Sequence, residues 1–458
     1  MWSRREFLTS AGSGCGMLAL SALLRANEDN ESVDGLVTRS CPRAKSVIWL
    51  FMNGGPSSID LFDPKPELTR LHGQKYPGKI KTLFPYPGTI MGSPFEFKQH
   101  GECGAPVASV FPNLAQHVDD IAFLKACVAS EQNHVPACYL VNTGNRQVGS
   151  PHLGSWVSYG LGSERQDLPE FVVMHDHRAA PEGGANLWSS GYLPGQHQGV
   201  PLRPSNNPIL YVNRPSDLSK STQHAQLDLL GWLNRRHLAT RQTTSDLEAR
   251  IGTFETAFRM QSSIPRLVDL SHETAATSRL YGLDDPECRH FGSQCLLARR
   301  MVEQGVRFIQ LYHGGYESNW DQHGGLAEGH ARNCYETDRP IAGLLADLKQ
   351  RGLLDSTLVI WGGEFGRAPT AQDRDGRDHN PYGFTMWMAG GGVKPGISYG
   401  RTDEFGYLPV EDSITIPDLH ATILHLLGLD DERLTFRHGG REQTPTNGLG
   451  RVTKEIIV

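Results

Sequence analysis

Three short runs hold the residue types that could do chemistry. Trp320-Asp321-Gln322-His323-Gly324 places a carboxylate and an imidazole two residues apart in a glycine-flanked turn, where both can face one cation. Gly376-Arg377-Asp378-His379-Asn380-Pro381 offers a second imidazole, and Gly362-Gly363-Glu364-Phe365-Gly366-Arg367 a second carboxylate beside a guanidinium. Carboxylate with imidazole suits zinc, manganese or iron. Each run standing alone also reads as a loop histidine beside a capping acid. Arg367, Arg377 and Arg146 offer forks that match phosphate or sulfate, although arginines more often serve in surface ion pairs.

Such runs need elements to position them. Ser46 to Met52 is a continuous apolar stretch stopped by Asn53-Gly54-Gly55-Pro56. It predicts a strand buried on both faces of a parallel sheet. Similar stretches recur at 121–124, 171–174, 306–312, 358–361 and 384–388, each followed by a loop rich in Gly, His or Glu. The pattern predicts an α/β fold with a mostly parallel central sheet flanked by helices. Ligands bind beyond the carboxyl ends of such strands, and the chemical residues cluster there. Cys288, Phe291, Cys295, Ala298 and Val302 share one helical face. Tyr335, Ile341, Leu345 and Leu348 share another, with a kink or restart expected at Pro340. Residues 418–427 read as a short helix, 181–216 as a long loop or lid, and 217–285 as a helical insertion.

Composition narrows the class. The 458 residues are 38% apolar and carry a formal net charge of −6 without a long basic run. That argues against nucleic acid or an anionic membrane surface as partner. Residues 1–26 predict a targeting segment: Ser3-Arg4-Arg5-Glu6-Phe7-Leu8 resembles a twin-arginine export signal, and the Ala11 to Leu24 run is too short and glycine-rich to span a bilayer. The mature chain, 27–458, is expected to be periplasmic or extracellular with no membrane span. Eight cysteines without a C-x-x-C pair exclude zinc-ribbon and thioredoxin readings. They are expected to be mostly buried and inert.

W-D-Q-H-G at 320–324, L-L-D-S-T-L-V-I-W-G-G-E-F-G-R at 353–367, G-R-D-H-N at 376–380, M-A-G-G-G-V-K-P-G at 388–396 and D-L-H-A-T-I-L-H-L-L-G-L-D at 418–430 together resemble a bacterial, twin-arginine-exported, sulfatase-like family of unknown function. It lies within the alkaline phosphatase and sulfatase superfamily, and the resemblance spans about residues 40–458. It implies an alkaline-phosphatase-like core, with Asp321, His323 and His379 converging on a divalent metal such as zinc, manganese or calcium, helped by Glu364. It also implies departures. Glu364 and Phe365 stand where those enzymes have Asp-His, which weakens any second metal position. Asn53 stands at a metal-binding Asp and would be a neutral, poorer ligand. In His134-Val135-Pro136-Ala137-Cys138-Tyr139-Leu140-Val141-Asn142-Thr143-Gly144, His134 takes the sulfatase nucleophile position and Cys138 the arginine position, which excludes a formylglycine mechanism. His134 then reads as ligand, general base or nucleophile, or as a helix-capping residue.

The expectation is a metal-dependent hydrolase of a sulfate or phosphate ester, with His134 and Arg367 catalytic and an anionic small molecule or polysaccharide as substrate. The alternative is a degenerate glycan-binding protein on the same fold. A weaker one is a partner of another exported protein through the 217–285 insertion.

Overall fold

Ser46–Met52 (β1) is buried along its whole length because its side chains alternate between two cores. Val47, Trp49 and Phe51 enter one, Ile48, Leu50 and Met52 the other. Each such side chain contributes about 1.5–3 kcal/mol by leaving water, which is why the run has no polar alternation. The computed structural model describes residues 42–458 apart from 85–86, 166, 204–208, 210–217, 240–244 and 316–319. The twin-arginine segment, Cys15 and Cys41 lie outside the described residues, as do parts of the 181–216 and 217–285 stretches.

The other strands of the main sheet are β2 (Ile121–Val128), β3 (Phe171–Met174), β4 (Val200–Pro201), β5 (Phe308–His313), β6 (Thr357–Gly362), β9 (Phe384–Ala389), β10 (Ile397–Tyr399) and β11 (Ile414–Thr415). Between β6 and β9 the chain makes a separate hairpin, β7 (Gly366–Gln372) with β8 (Gly376–Asn380). The sheet order is β10-β2-β9-β6-β1-β5-β3-β4, with β11 also on β2. β9 runs antiparallel to β2 and β6, while the other pairs are parallel. The expected mostly parallel sheet is therefore present, with one reversed strand.

Helices cover both faces. α1 (His134–Thr143), α2 (Leu153–Leu161) and α7 (Ile416–Leu426) supply one core. α5 (Pro286–Glu303) and α6 (Leu326–Gln350) supply the other. α3 (Lys220–Ala239) and α4 (Ser245–Val268) fall within the 217–285 stretch. The face of α5 read from the sequence is buried as expected. α6 differs. It neither breaks nor restarts but contains Pro340 within one helix. Ile341, Leu344, Leu345 and Leu348 anchor the turn after the proline in the core, which offsets the roughly 3 kcal/mol cost of an interior proline. Tyr335 is not on the buried face; it is 57% exposed and donates to Asp285. Among the described cysteines, five are buried and Cys103 is exposed, with none in a disulfide.

A partly buried ionic network joins the carboxyl ends of β3 and β5 to α6. Arg178 bonds Asp176 and Glu336, and His313 lies 2.9 Å from Glu336. Asp176 also accepts the Gly314 amide. This fixes where the loop after β5 departs. Burial opposes the Glu336 charge, yet His313 and Arg178 hold its carboxyl down at about 2, against an ordinary 4.5. A depressed carboxylate contributes stability that is complete above its unfolded value and disappears as pH falls through its folded one. Thermal unfolding of the wild type is therefore expected to lose stability between pH 4.5 and about 2. Glu336→Gln should be less stable already at pH 7 and show a shallower acid limb; parallel curves would refute this.

Candidate metal centre

Asp321, in the loop after β5, is the point on which three imidazoles and a guanidinium close. Its Oδ1 lies 2.9 Å from His323 Nε2, 3.1 Å from His379 Nε2 and 2.6 Å from the Arg367 guanidinium. Its Oδ2 lies 3.1 Å from His134 Nε2. One ligand atom from each of His134, Asp321, His323 and His379 falls within 4.8 Å of all the others.

Each side chain arrives from the carboxyl end of the sheet. His134 opens α1, following β2, with Asn133 as the N-cap. The N-cap position therefore falls to Asn133, not His134. His379 sits on β8 directly opposite Arg367 on β7. That hairpin packs along the 321–324 turn so closely that a Cβ at Gly376 would come within 2.0 Å of the His323 backbone. At the β1 and β6 ends, a Cβ on Gly363 would meet the Met52 carbonyl at 2.6 Å. Glycine is the one residue that permits both approaches.

Each ring is fixed from behind. His134 Nδ1 is 2.5 Å from Glu364 Oε1, His379 Nδ1 is 2.6 Å from the Gln132 carbonyl, and His323 Nδ1 faces the Gln372 side-chain oxygen. All three partners accept, so each Nδ1 carries the donated proton and Nε2 is the atom turned inward. Ligating histidines take this arrangement, in which an outer acceptor sets tautomer and ring angle. Phe365, buried and unable to ligate, packs its ring 4.5 Å from His379 and 4.9 Å from His134.

The remaining expected residues are placed differently. Glu364 is fully buried outside the four-residue group. Its oxygens accept the Gly54 amide at 2.9 and 3.1 Å and hold His134. It stands behind His134 and is not itself in the cluster. Asn53 is also fully buried, with its side-chain oxygen 3.8 Å from the Cys138 thiol and its backbone joined to His313 and Trp320. Arg367 was expected to grip an anion. Its side chain is 0% exposed, and it donates to the carbonyls of Gly54, Gly55, Trp320 and Arg377 as well as pairing with Asp321. Arg377 is likewise buried and paired with Asp60 at 2.7 Å.

Electrostatics follow from this packing. Burial works against the Asp321 anion, but Arg367 and then the three histidines hold its carboxyl far below the usual range. Burial opposes charge on His134 too, yet its bonds to Asp321 and Glu364 push it up to about 9. His379 goes the other way, pushed down to about 3 by burial despite Asp321. One titratable group escaped the sequence reading. Glu182 is half-buried beside the Tyr139 hydroxyl contact to Gly183, and burial raises its carboxyl, opposed by His134 and reinforced by Glu364 and Asp321. It lies in the Gly- and Pro-rich stretch read as a loop, where nothing singles out one acid.

A second group, Asp176, His177 and His290, also brings three ligand atoms together. Its chemistry does not suit a cation, because the Arg178 guanidinium already occupies both Asp176 oxygens.

A family described as "Protein of unknown function (DUF1501)" matches residues 44–457. No curated protein matches the chain. Similar solved structures include the alkaline phosphatase from the Antarctic bacterium TAB5, at 10% identity over 86% of this chain and 99% of that one, TM-score 0.36. Another is the PsFucS1 sulfatase from Pseudoalteromonas sp., at 12% identity over 89% and 70%, TM-score 0.36. A third is the phosphonate monoester hydrolase SpPMH from Silicibacter pomeroyi, at 14% identity over 75% and 71%, TM-score 0.36.

Arg367→Met would strand four carbonyls and the Asp321 carboxylate without their donor. The expected cost is about 3–5 kcal/mol of stability, read by urea unfolding. A variant as stable as the wild type would return Arg367 to the role of a substrate clamp.

Proposed function

The chain belongs to the DUF1501 family, and for this member we propose a metal-dependent hydrolase acting on a phosphate or sulfate ester. One contact carries the metal. The Gln132 carbonyl can only accept, so the buried His379 ring keeps its proton on Nδ1 and presents a lone pair on Nε2. That lone pair lies 3.1 Å from Asp321 Oδ1, an anion. Two acceptors at that distance repel unless a cation lies against both. His134, His323, His379 and Asp321 would hold it. Three nitrogens and one carboxylate suit zinc, manganese or iron; calcium, which prefers oxygen ligands, fits poorly.

A divalent ion at this place supplies Lewis-acid polarisation of an ester oxygen and lowers the pKa of water toward ~7. The chain's own residues do the rest. We read His134 as a ligand, not as nucleophile or base: Glu364 holds its Nδ1, and its Nε2 faces Asp321 at 3.1 Å. Arg367 and Glu364 are positioning residues, for Asp321 and His134 respectively. Glu182, whose carboxyl is raised by burial and, against His134, by Glu364 and Asp321, is the acid we assign to protonate the leaving alkoxide as water adds to phosphorus or sulfur. No helix among the described residues is long and apolar enough to cross a membrane. The Ser3-Arg4-Arg5-Glu6-Phe7-Leu8 run supports action outside the cytoplasm.

Elemental analysis of the purified protein is expected to find about one transition-metal ion per chain, and Asp321→Asn to lose most of it. No metal in either protein would sink this reading. Glu182→Gln should keep the metal while kcat drops ~100-fold or more. The wild-type rate should fall as pH rises through the raised Glu182 pKa, a limb the variant should lack.

A further inference from the structure

The four clustered residues are not equally open. His379 is 2% exposed and His134 10%, whereas Asp321 is 18% and His323 25% exposed. Substrate must therefore enter on the His323 side. Phe84 stands there, with its ring edge-on to His323 at 5.3 Å. It is nevertheless 45% exposed, and its neighbour Leu83 is 39% exposed.

An exposed phenyl ring on a loop would ordinarily need no account. This one is held in place by bonds to the residues that hold the cluster. The Phe84 amide donates to Asp378 Oδ2 at 2.9 Å, while Asp378 Oδ1 accepts the His379 amide. Gln132, whose carbonyl fixes the His379 ring, donates its side-chain nitrogen to the Lys81 carbonyl at 3.2 Å. Tyr407 donates its hydroxyl to the same carbonyl and accepts the Lys81 amide. Residues 81–84 thus form a strap registered on the cluster, with an apolar face left uncovered beside its open ligand.

We propose that Phe84 is a specificity-determining residue, a platform for a flat apolar ring in the substrate's alcohol portion while the anionic group sits at the cluster. An aryl ring and the C–H face of a pyranose share this chemistry. The inference rests on the anion-binding reading of the metal site given above.

Titration calorimetry on the zinc-loaded full chain tests it without turnover, using phenylphosphonate, the non-hydrolysable phosphonomethyl isostere of glucose 6-phosphate, and methylphosphonate. One or both ring compounds should bind the wild type roughly five- to tenfold more tightly than methylphosphonate. The ring that gains tells an aryl from a sugar substrate. Phe84→Ala should abolish the preference through the ring compounds alone, and Phe84→Trp should retain it, both with unchanged zinc content. Equal binding of all three by the wild type, or a preference that survives in Phe84→Ala, would overturn the role of Phe84 and leave the metal site standing. If none of the three binds the zinc-loaded protein, the anion-binding reading falls and this inference falls with it.

Discussion

The negative charge on Asp321 sets the arrangement around it. A carboxylate only 18% exposed is expensive to bury unless charge and hydrogen bonds surround it. Arg367 and the imidazoles of His134 and His379 answer from inside the protein, and His323 from the more open side. Those demands propagate outward. Arg367 reaches Asp321 only by crossing the carbonyls of Gly54 and Gly55, which pins the end of β1. His134 reaches it only because Glu364, anchored on the Gly54 amide, aims the ring. The centre and the strand ends are therefore one hydrogen-bonded unit, in which a change at one member is felt at several others.

Much of this frame is legible in the sequence, and the reason is burial. A strand inside a two-sided core must be apolar throughout, so β1, β5, β6 and β9 announce themselves. Chemical residues gather after such strands, which is how Asp321, His323 and His379 stand out. The roles behind them are less visible. Whether Glu364 binds an ion or the ring of His134 depends on distances that no spacing encodes. Arg367 looks like an anion clamp until its carbonyl partners are known, and two of them, Gly54 and Gly55, lie hundreds of positions upstream. Gln132 and Gln372 act through a backbone carbonyl and an amide oxygen, which leave no motif. Pro340 does not restart the helix, because the core packing of Ile341, Leu344, Leu345 and Leu348 after it outweighs the local rule.

Sequence distance divides the centre into two kinds of partner. Asp321, His323, Glu364, Arg367 and His379 fall within one stretch of chain, and the β7–β8 hairpin brings His379 opposite Arg367 without any crossover. The reversed β9 makes this feasible, because a strand running backward beside β6 lets the chain leave at the carboxyl end of β6 and return at the same end of the sheet. His134 is different, meeting Glu364 across 230 residues. Closing so long a loop is paid in chain entropy before any contact rewards it.

That division has a consequence for a chain made from its amino end. His134 leaves the ribosome early, while the other members of the cluster appear later, within one stretch of chain. The cluster can therefore be complete only late, once β6 lies between β1 and β9 and Glu364 meets the His134 ring. A truncated product ending before β6 would carry Asp321 and His323 but neither Glu364 nor His379, so incomplete chains hold only a fragment of the four-residue cluster and its support. Strand order thus makes the whole cluster depend on the last third of the chain.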